Sequence, residues 1–140
     1  MKRVFFAIFV LWATHAASDP QMTQALNTLR SENSLEAVAF SAPLEVAAQR
    51  HANDMAQAGI FSHTGSDGSD VSRRVSDTGY AWCVVAENIA KGQQSLEEVM
   101  QAWAASPGHR RNMLSDEVTE FALVLGEDDI WVMVLAAPGC

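Results

Sequence analysis

The stretch from Cys83 to Leu114, CVVAENIAKGQQSLEEVMQAWAASPGHRRNML, constrains the fold more than any other. Its apolar opening is broken by an acid and an amide, Ala86-Glu87-Asn88-Ile89-Ala90. A carboxylate inside a buried segment needs a partner, because an unpaired buried charge is strongly destabilising. The run therefore predicts a buried strand, Cys83 to Ala90, with a polar centre built onto it. A turn at Lys91-Gly92 follows. Ser95 and Glu98 have the spacing of a capping box, opening a helix to about Ala105 that buries Leu96, Val99, Met100 and Trp103. Pro107 and Gly108 stop that helix, and Arg110 to Leu114 reads as a single helical turn. His63 and His109 flank Glu87 in the chain. The rest of the sequence reads as the scaffold that brings these three groups together.

That scaffold is helical first and extended later. Gln21 to Ser34 reads as a helix, with Met22, Ala25, Leu26 and Leu29 at helical spacing and a polar, turn-like end over Ser31 to Ser34. Val38-Ala39-Phe40 reads as a short extended piece. Ser41 is a suitable N-cap and Pro43 is tolerated in a first turn, so a helix is expected over Ala42 to Ala58. Its stripe is Leu44, Ala47, Ala48, His51, Ala52 and Met55, and Gly59 is its stop. Phe61 to Asp70 is a polar loop, with Ser69 placed to cap a short helix through Asp77. Phe121 to Leu125 and Ile130 to Leu135 are apolar runs separated by Gly126-Glu127-Asp128-Asp129, the pattern of a β-hairpin. Early helices and late strands favour an α+β architecture over a doubly wound sheet. The length of 140 residues fits one domain, expected over residues 20–140.

Met1 to Ala17 has the form of a secretory signal peptide. Lys2 and Arg3 are its charged region, Val4 to Ala13 its apolar region, and small residues offer a cleavage site. The apolar run falls short of the roughly 20 residues of a membrane helix; an uncleaved anchor is the alternative. The chain is expected to be secreted or periplasmic, with no membrane anchor after cleavage. Removing Lys2 and Arg3 takes the net charge from −8 to about −10. Such a surface repels phosphate backbones, which argues against nucleic acid as a partner. The two cysteines, Cys83 and Cys140, are expected to form a disulfide in an oxidising compartment; two free thiols are the alternative.

Histidine is scarce beyond the leader: His51, His63 and His109. If the strand carrying Glu87 and the two turns carrying His63 and His109 meet at one end of a sheet, two imidazoles and a carboxylate converge. That is the ligand complement of an open zinc site whose fourth position is water. Asn88 and Asn112 would then donate hydrogen bonds around it. No short zinc motif such as HExxH or CxxC is present. A structural role for Glu87, accepting backbone amides, is equally compatible with the pattern. His51 and Asp54 stand at i, i+3 on one helix and are expected to form a local, surface or semi-buried pair. Arg73-Arg74 and Arg110-Arg111 read as solvated or paired with carboxylates. Ser62 and Ser106 lie near histidines, but no nucleophile elbow surrounds either.

Taken as ordered motifs, these residues resemble a known family. Phe61-Ser62-His63, Ala86-Glu87-Asn88-Ile89-Ala90, and Trp103 followed by Ser106-Pro107-Gly108-His109-Arg110-Arg111-Asn112 are similar to the bacterial branch of the CAP superfamily. The superfamily groups cysteine-rich secretory proteins, antigen 5 and pathogenesis-related proteins. The helix with His51-Ala-Asn-Asp-Met-Ala56 is similar too, and the resemblance runs from about Ala25 to the C-terminus. It implies a three-layer α-β-α sandwich with a cleft lined by two histidines and acidic groups, where some members bind zinc or another divalent cation. His63, Glu87 and His109 match the cleft positions. Two departures stand out: no Trp-x-x-Glu follows Trp103, and no Gly-His-Tyr-Thr-Gln-like segment is present. Glu120 is the remaining candidate for the second acid. The expectation is a binding protein whose His63/Glu87/His109 cleft holds a divalent metal or small ligand. Two alternatives remain: a metal-dependent hydrolase with Glu87 as its base, and a structural or protein-interaction module.

Overall fold

The computed structural model describes residues 19–140. The leader expected over Met1 to Ala17 lies outside them. Five α-helices and four strands follow in the order α1 (Pro20–Glu32), β1 (Ala39–Phe40), α2 (Ala42–Ala58), α3 (Val71–Ser76), β2 (Trp82–Lys91), α4 (Leu96–Ala105), α5 (Pro107–Met113), β3 (Glu120–Leu125) and β4 (Ile130–Pro138). The strands form one sheet in the order β1-β3-β4-β2. β1 runs parallel to β3, and the other pairs are antiparallel.

The late apolar runs are continuous because both faces of the sheet are covered, not because they skip the pleat. Phe121, Leu123, Trp131, Met133 and Leu135 enter one core, which Leu26 of α1, Val99 and Trp103 of α4 and Met113 of α5 complete. Ala122, Val124, Ile130, Val132, Val134 and Ala136 enter the other, against Leu44, Ala48, Ala52 and Met55 of α2 and Val75 of α3. The molecule is thus an α+β, α-β-α sandwich, as the early-helix, late-strand order and the resemblance implied.

α2 has the bounds expected of it, from the Ser41 side to a left-handed Gly59 at φ 64°. Other elements differ at their ends for physical reasons. The short third helix is capped by Asp70, whose carboxylate accepts from the Arg73 amide at 2.8 Å, while Ser69 is buried before it. α5 begins at Pro107 rather than Arg110: proline at the first helical position needs no amide partner, so Pro107-Gly108 both ends α4 and starts the next helix. β4 continues past Leu135 to Pro138 because it pairs with β2 back to Trp82. There, at the open end of that pair, Cys83 and Cys140 form the expected disulfide, their Cα atoms 5.2 Å apart.

Candidate functional site

β2 is an edge strand, and the pleat sends Glu87 and Asn88 to opposite layers. Glu87 stands opposite Val134, on the α2–α3 side; Asn88 stands opposite Met133, on the α1–α4–α5 side. The consecutive acid and amide that interrupt the apolar run therefore serve two separate clusters.

On the α2–α3 side, the Glu87 side chain is 2% exposed and held by three basic groups. Arg74 Nη2 donates to Oε2 at 2.8 Å. His63 Nδ1 meets Oε1 at 2.8 Å. His51 Nε2 lies 3.8 Å from the same oxygen and 2.8 Å from the Ser62 carbonyl. Arg74 also donates to the carbonyls of Ser69 at 2.8 Å and His63 at 3.1 Å, so one buried guanidinium fixes both the carboxylate and the backbone of the His63 loop. The His63 ring is otherwise open, with 59% of the side chain exposed. Burial, outweighing the nearby Glu87 carboxylate, holds His51 below the ordinary imidazole range.

On the other side, Asn88 is fully buried and acts as a clasp for α5. Its Nδ2 donates to the His109 carbonyl at 3.1 Å, and its Oδ1 accepts from Asn112 Nδ2 at 2.9 Å. The carbonyls along the edge of β2 are also capped: Glu87 O accepts from Asn112 Nδ2 at 3.3 Å, and Ile89 O from Trp103 Nε1 at 3.2 Å. Arg30 fastens the far end of α5, donating to the carbonyls of Met113 at 2.9 Å and Ser115 at 2.8 Å. His109 is thereby set beside Trp103, ring centroids 6.4 Å apart, with burial first and its electrostatic interaction with His63 second lowering its pKa.

A cleft of about 320 Å³ opens along this edge. Phe61, Ile89, Ala90 and Trp103 give it apolar walls, and Lys91, Gln93, Ser106 and His109 give it polar groups. Gln93 Oε1 is buried without a hydrogen-bond partner. Phe61 is about half exposed at the mouth.

The structure therefore places the expected residues in three positions. Glu87 and His63 are in direct contact, His109 reaches the cleft from the opposite layer, and Glu120 is at the start of β3, two strands from β2. Glu120 lies beside Tyr80, whose phenol is pushed up first by burial and then by that carboxylate. A three-ligand metal centre does not fit this arrangement. Both Glu87 oxygens are engaged, one by a guanidinium, and the described residues contain no group of three or more His, Cys, Asp or Glu side chains placed to share an ion. His51 and Asp54 do not form the expected local pair. His51 turns inward to Ser62, while Asp54 accepts from the Ser66 amide and hydroxyl. Arg74 and His51 were the residues whose importance spacing alone did not reveal. The available signal was a histidine on the buried stripe of α2, which demands a polar partner inside.

The domain is an α-β-α sandwich whose edge strand carries a buried carboxylate, Glu87, in contact with the His63 imidazole. Residues 23–134 match the family described as CAP, the cysteine-rich secretory protein family, and the chain belongs to it. It is 28% identical over 117 residues to the Bacillus subtilis protein YkwD, covering 83% of this chain and 46% of that one. Among solved structures, an extracellular SCP-domain protein of Bacillus anthracis superposes with a TM-score of 0.79 at 24% identity, over 84% of this chain and 39% of that chain. An outer surface protein of Borrelia burgdorferi superposes with a TM-score of 0.78 at 19% identity, over 86% of this chain and 92% of its own. The chain spans less than half the length of YkwD.

Proposed function

We propose that this CAP domain works outside the cytoplasm as a binding module, holding a small amphipathic ligand in the cleft that His109 lines. One observation carries the reading: apolar walls from Phe61, Ile89 and Trp103 converge with Lys91, Ser106 and His109 on a single opening. Ligand sites have this make-up, mostly apolar with a few polar groups that orient the occupant. Lys91 pairs only loosely with Asp128, at 4.0 Å, and suits an acidic group on the ligand. Glu87 is then a positioning residue that holds the His63 ring, not a metal ligand. An extracytoplasmic location is supported by the disulfide and by the extracellular and outer-surface proteins that share the fold. No helix among the described residues is long and apolar enough to cross a membrane.

The test uses 4-phenylbutyrate, an aromatic body carrying one carboxylate, titrated into the oxidised protein and followed by NMR. Saturable shifts at His109, Lys91 and Phe61, weakened about tenfold by Lys91→Glu, are expected. Absence of saturation, or binding untouched by Lys91→Glu and Phe61→Ala, would count against the reading. Zinc is titrated in parallel. Tight stoichiometric zinc lost in both His63→Ala and His109→Ala would replace the organic ligand with a metal.

A second reading, a hydrolase, is favoured by one contact, His63 Nδ1 to Glu87 Oε1 at 2.8 Å. A carboxylate behind an imidazole fixes its tautomer and leaves Nε2 free to take a proton from water. A panel of peptide and ester substrates decides: turnover abolished by both Glu87→Gln and His63→Ala supports it, and no turnover removes it.

A further inference from the structure

The cleft opens on the free edge of β2 itself. Its lining takes Ile89, Ala90 and Lys91 from the strand, Phe61 from the loop after α2, and Trp103 and His109 from the α4–α5 layer. β2 pairs with β4 alone, so its outer backbone groups face that opening. In an antiparallel pair, alternate residues turn their amides and carbonyls to the partner strand, and the others turn them away. Bonds on the far side of β4 fix which do which. Ile130 O accepts from Gly126 N at 2.8 Å and Ala136 O from Thr119 N at 3.0 Å, both on the β3 side. Lys91 and Val85, their opposites across the ladder, therefore face outward, and Glu87 and Ile89 with them. The carbonyls agree: Glu87 O and Ile89 O are capped from outside by Asn112 Nδ2 and Trp103 Nε1. The amides are left over. Those of Ile89 and Lys91 donate to no group among the described residues.

Uncapped donors along a strand edge call for a row of acceptors, which another strand supplies. Two residues of strand put the Ile89 and Lys91 amides about 7 Å apart, the spacing of every second carbonyl in an extended chain. Lys91 is the last residue of β2 and a base in a chain of net charge −8, so it suits a carboxylate. A carboxylate at that end also sets the ligand's direction. We propose, resting on the binding-module reading, that the cleft takes the C-terminus of an extended peptide, which adds to β2 as a short parallel strand. The terminal carboxylate accepts Lys91 N–H, and the carbonyl two residues earlier accepts Ile89 N–H. Alternate side chains then fall on the Phe61 side and on the Trp103–His109 side. The addition ends before Glu87, whose carbonyl Asn112 already covers.

The test is an NMR titration of the oxidised protein with acetyl-Ala-Ala-Phe bearing a free carboxylate, beside 4-phenylbutyrate, which has the ring and the acid but no peptide backbone. The peptide is expected to bind about tenfold tighter than 4-phenylbutyrate. Amide exchange should slow at Ile89 and Lys91, which face out, and stay unchanged at Asn88 and Ala90, which already bond β4. Two methylated peptides check the pairing. A methyl on the Phe nitrogen stands between the strands and should weaken binding about tenfold; one on the preceding Ala nitrogen points away and should not. A peptide no tighter than a saturating 4-phenylbutyrate, equal binding of the two methylated peptides, or unchanged exchange at Ile89 and Lys91 would overturn strand addition and leave the cleft as a small-ligand site. No saturation by any of these probes would remove the cleft reading and the proposal together. Protection of the same amides that grows with protein concentration, without peptide, would give the edge to a second copy of the chain and overturn the proposal.

Discussion

Glu87 and Arg74 are the pair on which the site depends. A buried ion pair is an uncertain asset compared with an apolar pair, but removing one partner leaves a bare charge in the interior. Arg74→Met is therefore expected to cost about 3–5 kcal/mol in urea unfolding, and Glu87→Gln in the same background to recover part of it. Additive losses in the double variant would contradict the coupling. His51 adds a pH dependence. Its pKa is lowered in the folded protein by burial, so the unfolded chain binds a proton that the native ring does not. Its contribution is fully present above the unfolded value of about 6.5 and is lost as pH falls below it. His109 shifts the same way and adds to the slope. The urea midpoint should fall from pH 7.5 to 5, with a gradient approaching 1.36 kcal/mol per pH unit for each fully shifted histidine, and flatten in His109→Gln. A midpoint flat over that range would refute the assignment.

α5 gives a different lesson, about what holds a functional helix in place. It spans only Pro107–Met113, too short to be stable alone, and is fastened from outside by Asn88, Asn112 and Arg30. Asn88→Ala leaves the His109 carbonyl and the Asn112 amide without their partner, and about 1–3 kcal/mol of stability should go with them. The His109 resonances should move while those of His51 stay, because the pleat separates the two clusters. Movement at His51 as well would mean that the layers are coupled through β2. These elements also show how far pattern reading reaches. α2 was legible to the residue, because Ser41 and Gly59 punctuate a stripe that carries its own burial. The start of α5 was not, since proline and glycine read as a stop whether or not a new helix follows. The end of β4 was hidden because Ala136 and Ala137 extend as strand only when β2 is there to pair with them. The convergence of Arg74 on Glu87 likewise depends on how a short helix docks against the sheet, which no local spacing encodes.

At the largest scale, the described residues form a sheet buried on both faces whose edge strand β2 is fixed at both ends. At the Lys91 end, hydrogen bonds from Gly92 N to Asp129 O at 3.0 Å and from Gln94 Nε2 to Asp129 Oδ2 at 2.8 Å tie the turn after β2 to the β3–β4 turn. That turn packs hard on α2: a Cβ on Gly126 would come within 2.9 Å of Ala52 Cβ, so Gly126→Ala should cost about 1–3 kcal/mol through overpacking. At the other end, Cys140 is bridged to Cys83 across 57 positions of chain. Closing a loop of that length stabilises by roughly 3–4 kcal/mol in the chain-entropy account. The bridge joins the ends of β2 and β4, where the pairing shifts register between Trp82 and Val84, and it lies outside both cores. Reduction should therefore lower the urea midpoint substantially while leaving the sheet assembled at low denaturant, with amide exchange accelerated first from Trp82 to Val85 and only later at Glu87. Cys83→Ser with Cys140→Ser should reproduce this without a reductant. If exchange at Glu87 and Ile89 rises as fast as at Val84, the bridge supports the site itself, and the capping of the β2 edge by Asn112 and Trp103 is not enough to hold it.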